Sequence, residues 1–196
     1  MDSAYHEHLP EIEQRDWSEF YPFSKKSDPP DMPEALGLGV ELTMFVDASH
    51  ATNLVTRQSR SGVLIYANKA PIIWFSKKQN SIETSSLGSE FMALKTGVEL
   101  LEGLIYKLQM MGVPIEGYCY TCVDNMSVVN NTSVPESVLK KKSNSIVFYY
   151  VRSKCAEDIL RITYENTKTN SADILSKVQV GATKKAFRNK IMFPGD

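Results

Sequence analysis

The sequence lacks most of what would tie it to a membrane or to an oxidising compartment. No apolar run in its 196 residues approaches the ~20 needed to span a bilayer. The opening, "MDSAYHEHLPEIEQRD", is acidic and polar, unlike a secretory signal. There are three cysteines, an odd number with no framework spacing, which points to a reducing, intracellular setting. "CYTC" has the spacing of a metal or redox pair, but no second Cys/His pair completes a zinc site. Tyr118, Tyr120 and Cys122 alternate there as a strand would. There are no internal repeats.

What is present is an ordinary globular composition, with 42% hydrophobic and 23% charged residues. The net charge of −1 hides a split. Residues 1–41 hold ten Asp/Glu and three Lys/Arg, a net of −7, whereas residues 42–196 carry +6. The second part is therefore the better partner for a polyanion.

Two regions follow from this. Residues 1–40 read as an acidic connector or arm. "SKKSDPPDMPEALGLG" has three prolines and two glycines and keeps no helical or strand period. Trp17, Phe20, Tyr21 and Phe23 are candidate tethers to a body spanning 41–196. Leu42, Met44 and Val46 alternate with Thr43, Phe45 and Asp47, which predicts a half-buried strand over 41–47. Two strands are expected at 61–67 and 71–76, joined by a turn at Asn68-Lys69-Ala70. A helix is expected over 86–111, stopped by Gly112 and Pro114. A strand ending at Asp124, a short helix over "NMSVVNN", a helix over 139–156, a strand within "EDILRITYE" and a last helix opened by "TNSADILSKV" follow. Short links make the first three strands antiparallel, and helical crossovers make the last two parallel. The expected class is α/β: a mixed five-stranded sheet with helices on both faces.

Four carboxylates stand out. Asp47 and Asp124 each end a strand. Glu90 lies four residues before Leu94, on the apolar stripe of Leu94, Leu101, Ile105 and Leu108, where a charge needs compensation. Asp173 opens the last helix, with Asn170 or Ser171 as its cap. Each has a plain reading by itself: a turn for Asp47, a helix-terminal charge for Glu90 and Asp173, an N-cap for Asp124. Together they differ, because the carboxyl ends of parallel strands form the ligand edge of an open α/β sheet. Four carboxylates crowded there repel one another unless hard divalent cations neutralise them. Two such ions about 4 Å apart suit phosphodiester hydrolysis.

In order along the chain, "MFVDASHA", "TRQSRSGVLIYANKAPIIWFSKKQNSIETSSLGSEFMALK", "VDNMSVV" and "NSADILSK" resemble the ribonuclease H (RNase H) domain of copia-type LTR retrotransposon Pol polyproteins. That family shows an Asp with a following Asp or His loop, then R-S-x-[ST]-G and I-x-W-x-S-K-K-Q. An S-S-x-x-x-E helix start, D-N-x-S and x-A-D-x-L-[ST]-K follow. The likeness covers roughly residues 41–180. "MMGVPI" and "PESVLKKKSNSI" resemble the diatom and algal branch.

The resemblance implies an RNase H-like fold and cleavage of the RNA strand of RNA/DNA hybrids during reverse transcription. It implies two Mg²⁺, with Mn²⁺ as a substitute, on Asp47, Glu90, Asp124 and Asp173. The implied partners are the hybrid and the reverse transcriptase portion of the same polyprotein, in a cytoplasmic virus-like particle, with no membrane. Residues 1–40 correspond to the connection from that polymerase, whose Tyr-x-Asp-Asp motif this chain lacks, so Met1 is expected to open a truncated or separate reading frame.

Hybrid contacts are expected from Gln79, Ser86, Asn125, Lys140, Lys141 and Lys142. The runs Lys77–Lys78 and Lys184, Lys185, Arg188, Lys190 read as solvated faces, and His50 as a loop histidine. The chain departs from its relatives at Gly88, which loosens the first helical turn by up to ~1 kcal/mol relative to Ala. Ser143 stands where many relatives have a histidine. No histidine precedes Asp173 in "ENTKTNSAD", which leaves Lys168 or solvent for proton transfer. The rival readings are a catalytically silent RNase H-like scaffold or relic, and an integrase or resolvase of the same fold. An integrase places its glutamate late in the chain, whereas here it comes second.

Overall fold

The computed structural model describes residue 9 and residues 11–139, 144–178 and 181–191. Lys140, Lys141, Lys142, Ser143 and the side chain of Lys190 lie outside the described residues. The elements are β1 (Leu42–Ser49), β2 (Arg60–Ala67), β3 (Ala70–Lys78), α1 (Ser86–Met110), β4 (Cys119–Val123), α2 (Met126–Ser133), α3 (Ser145–Ala156), β5 (Leu160–Tyr164), α4 (Asp173–Ser176) and α5 (Gly181–Ile191). One sheet runs in the order β3-β2-β1-β4-β5. β1–β2 and β2–β3 are antiparallel, and β1–β4 and β4–β5 are parallel, as the connection lengths require. No described helix is long and apolar enough to cross a membrane.

β1 corrects its sequence reading twice. All eight of its residues are buried, so it is not half-exposed. It is the middle strand, and both faces are covered. Met44, Val46 and Ala48 join one core with Phe91, Leu94, Val98 and Leu101 of α1 and Phe148 and Val151 of α3. Phe45 joins a second core on the other face with Leu64, Tyr66, Tyr120, Cys122 and Ala172, backed by Leu9, Ile12, Leu175 and Ile191. β1 also runs past Asp47 to Ser49, because pairing with β2 continues (Asp47 opposite Gly62) after the β4 ladder ends at Val46 opposite Val123. Asp47 is thus inside a strand and makes no turn.

Other boundaries shift for local reasons. The β2–β3 turn is the two residues Asn68-Lys69, since Ala67 already pairs Ala70. Asn68 takes a φ of +52° and exchanges hydrogen bonds with the Glu41 backbone. The last helix expected to open in "TNSADILSKV" is a single turn, α4, over Asp173–Ser176, and a separate α5 over Gly181–Ile191 follows that the sequence reading did not foresee. Cys119 and Cys122 point into opposite cores, so this pair does not chelate and the strand reading holds.

Gly88 does more than loosen α1. A Cβ there would lie 2.6 Å from Glu83 Oε2 and 3.2 Å from Asn144 Nδ2, so its absence lets both close over the first turn. The Ser85 hydroxyl caps that turn by accepting from the Gly88 N–H.

Part of the arm is built into the body. Trp17 is buried, Tyr21 meets it edge-on, and the Arg152 guanidinium stacks 4.9 Å from the Trp17 ring and 4.6 Å from Phe148. Arg152 is itself buried and donates to the carbonyls of Asn131, Val134 and Pro135, which disperses its charge without a carboxylate. Arg161 stacks on Tyr118 and donates to the Ile12 carbonyl. Of the expected tethers, Phe20 and Phe23 stay exposed.

Gly62 sets how closely the α4 segment approaches β2. A Cβ there would lie 2.8 Å from the Ala172 carbonyl oxygen and 2.9 Å from the Ser176 amide, both backbone atoms that cannot swing aside. Gly62→Ala should therefore lower stability by about 1–3 kcal/mol in urea titrations. An unchanged midpoint would mean that 172–176 is not seated there.

Candidate active site

The parallel β1–β4 register decides the site. Val46 pairs with Val123, so Asp47 and Asp124 leave neighbouring strands side by side at one edge of the sheet. Glu90 sits in the first turns of α1, which crosses that edge, and faces inward with the buried Phe91 and Leu94. One carboxylate oxygen from each of Asp47, Glu90 and Asp124 lies within 4.8 Å of the others. Asp47 is fully buried, Glu90 nearly so, and Asp124 is half-buried.

Asp124 is not an N-cap. Asn125 takes that place, its side-chain oxygen accepting from the Ser127 and Val128 amides. This frees the Asp124 carboxylate, which accepts from the Thr167 hydroxyl at 2.9 Å.

Asp173 reaches the cluster indirectly. The Lys177 ammonium stands 2.5 Å from Asp173 Oδ1 and 3.2 Å from Asp47 Oδ1, bridging the two. Ser176 donates to the other Asp47 oxygen. Neither Asn170 nor Ser171 caps α4, whose cap position is Ala172 with no side-chain bond. Asn170 instead donates to the Val46 carbonyl at 2.9 Å and accepts from the Ala172 amide, tying this segment to β1. Ser176, Lys177 and Thr167 escaped the sequence reading, and Asn170 was read only as a cap. A signal existed for two of them: Ser176 and Lys177 follow Asp173 by three and four residues, one helical face.

The expected contact residues divide. Ser86 is exposed at the start of α1 and Asn125 is half-exposed. Gln79 is turned inward, its Nε2 donating to Ser61 Oγ and to the Ser89 carbonyl. Lys77, Lys78, Lys184, Lys185 and Arg188 are exposed.

The electrostatics are those of a site short of positive charge. Burial first, then the charges of Asp47 and Asp124, push the Glu90 carboxyl up to about 9. Burial also raises Asp47, opposed by the Ser176 hydrogen bond. Lys177 is raised above the ordinary lysine value: burial opposes this, but bonding to Asp173 and the Asp47 charge outweigh it. Glu90 Oε2 is buried without a hydrogen-bond partner among the described residues. An orphaned carboxylate oxygen in an all-oxygen donor set fits a hard divalent cation such as Mg²⁺ or Mn²⁺.

No family model matches the chain. The fold is that of ribonuclease H. LC11-RNase H1, solved in complex with an RNA/DNA hybrid, aligns with a TM-score of 0.55 and 19% identity over 69% of this chain and 93% of that one. The N-terminal RNase H domain of rv2228c from Mycobacterium tuberculosis aligns at 0.54 and 13% identity, covering 79% of this chain and all of that one. In sequence, the chain is related to the Pol polyproteins of copia-type transposons. It is 23% identical over 155 residues to the retrovirus-related Pol polyprotein from transposon RE2 of Arabidopsis thaliana, covering 79% of this chain and 11% of that protein. It is 27% identical over 135 residues to the Pol polyprotein from transposon TNT 1-94 of Nicotiana tabacum, covering 68% and 10%. The chain thus spans about a tenth of the length of these relatives.

Two outcomes follow. Glu90 ionises near 4.5 when unfolded and near 9 when folded, so between these values the folded chain holds a proton the unfolded chain has lost. Its contribution is complete below the lower value and fades as pH rises toward the upper one. With a chelator present, melting temperature should therefore fall from about pH 5 to about pH 9 more steeply than in Glu90→Gln. Saturating Mg²⁺ should flatten the difference. Lys177→Met should lower the melting temperature of the metal-free protein, because two buried carboxylates lose their shared counter-ion. It should also raise Mn²⁺ affinity in calorimetric titration, because a competing cation is gone. Weaker Mn²⁺ binding would show instead that Lys177 organises the ligands.

Proposed function

We propose that this chain is the RNase H portion of a retrotransposon Pol polyprotein, an endonuclease that cuts the RNA strand of RNA/DNA hybrids. The observation that carries the reading is the buried cluster of Asp47, Glu90 and Asp124 at the carboxyl edge of parallel strands, with Asp173 joined to it through Lys177. Asp47, Glu90, Asp124 and Asp173 would hold two Mg²⁺ ions. Bound there, such ions supply a hydroxide nucleophile near neutral pH and offset charge on the leaving oxygen.

The chain's own part is positioning. Ser176 and Lys177 orient Asp47, Thr167 orients Asp124, and Asn170 holds the Asp173 segment against β1. A-form-like hybrids are read by phosphates and 2′-hydroxyls across a shallow groove, which suits a site on an open sheet edge flanked by exposed Ser86 and half-exposed Asn125. The RNA/DNA hybrid bound by LC11-RNase H1 and the polyprotein relatives support the same substrate class. In this reading the reverse transcriptase portion of the polyprotein is the partner that makes the hybrid.

With Mg²⁺ or Mn²⁺, the protein should cut the RNA of a labelled hybrid and leave single-stranded RNA and duplex DNA intact. Asp124→Asn should lower the rate at least about a hundredfold, the upper range for groups that merely support metal ligands. A folded, metal-binding protein that cuts no hybrid would establish the silent-scaffold reading instead.

A further inference from the structure

Beside the carboxylates lies a line of buried hydroxyls that ends on an exposed imidazole. Ser59 and Ser89 are completely buried, their oxygens 2.8 Å apart. Ser59 Oγ accepts from the Ala51 amide at 3.0 Å. Among the described residues, the Ser59 proton then has one acceptor, Ser89 Oγ. Ser89 in turn has His50 Nδ1 at 2.8 Å and the Ser85 carbonyl at 3.4 Å. A hydroxyl bond of 3.4 Å is weak and one of 2.8 Å is normal, and the proton of the short Ser89–His50 contact can come from either partner. Where Ser89 supplies it, the donors run one way, Ala51 N–H to Ser59 to Ser89 to His50 Nδ1. With Nδ1 accepting, the ring proton sits on Nε2.

The placement is firm. Ala51 holds a left-handed φ of +48° without being glycine, a conformation that persists only when its surroundings over-determine it. His50 follows Asp47 by three residues, and Ser89 directly precedes Glu90. The ring therefore spans the two elements that carry those carboxylates. Its residue is exposed, and Nε2 has no hydrogen-bond partner among the described residues.

We infer that His50 is a binding residue: its Nε2–H donates to a backbone phosphate oxygen of the nucleic-acid strand lying on the carboxylate cluster, an assignment that rests on the proposed function. Carboxylates repel a phosphodiester, so a fixed donor at their rim has an evident use. A hydrogen bond to an anionic oxygen is about twice as strong as one between neutral groups. The buried serines hold the ring by Nδ1, and with Ser89 donating the remaining N–H faces outward, so no reorientation is needed when the strand arrives.

The experiment is steady-state hydrolysis of an RNA/DNA hybrid by the wild type, His50→Ala and His50→Gln, the last keeping a donor near the Nε2 position. His50→Ala should raise KM by about tenfold or more, with kcat within about twofold, and His50→Gln should recover most of the loss. In hybrids with one uncharged methylphosphonate placed in turn along the backbone, one position should raise KM for the wild type and not for His50→Ala. Nitrogen-15 shifts of the His50 ring should report the Nε2–H tautomer, and Ser89→Ala should abolish that preference. An unchanged KM in a folded His50→Ala protein, a fall in kcat alone, or an Nδ1–H ring would overturn the inference while leaving hybrid cleavage intact. If the wild type neither binds nor cuts the hybrid, the proposed function falls and this assignment with it.

Discussion

Mutual repulsion among three crowded carboxylates, two of them buried, is the constraint on which the rest of this structure depends. Asp47, Glu90 and Asp124 reach within 4.8 Å of one another in surroundings that leave two of them almost without water. Unlike charges in bulk solvent, these are screened little, and burial together with the neighbouring charges raises the proton affinity of Asp47 and Glu90. The chain answers with fixed groups. Lys177 spans Asp47 and Asp173, Ser176 and Thr167 donate to carboxylate oxygens, and Glu90 keeps an oxygen with no partner among the described residues. An arrangement so short of positive charge makes sense as one completed by divalent cations.

The scaffold must hold that arrangement rigidly, and both faces of β1 are recruited for it. The α1 core braces the strand from one side. From the other side come Tyr66, Tyr120, Leu175 and the first part of the arm. The segment bearing Asp173 is only one helical turn long and has little cohesion of its own. It is held by Asn170 on the Val46 carbonyl, by Ser176 and Lys177 on Asp47, and by the space that Gly62 leaves open. The arm, by contrast, is acidic and rich in proline along much of its length. It is fastened by two guanidinium groups, Arg152 stacking on Trp17 and Arg161 donating to the Ile12 carbonyl.

Periodicity and punctuation were enough to read the five strands and their directions, because short links can join only antiparallel neighbours and helical crossovers suit parallel ones. Glu90 was legible for a different reason: an acid on an apolar helical stripe contradicts its own position. Lys177 and Ser176 were harder. Their role depends on Asp47, 130 and 129 residues away, and no local pattern carries that distance. His50 was legible only as a loop residue, since Ser59 and Ser89 meet it through tertiary contact alone.

The sequence by itself determined the order and type of the elements as far as α4, the four carboxylates and the opposite net charges of residues 1–41 and 42–196. These follow from side-chain chemistry and from spacings of two or about 3.6 residues, which act over a few neighbours. Tertiary structure alone decided that Asp47 lies within a strand buried on both faces, that Asn125 rather than Asp124 caps α2, and that Asp173 joins its partners through a lysine. Each of those outcomes depends on which strand lies beside which and on what covers the sheet. They are set by register and packing between segments far apart in the chain, which local spacing does not encode.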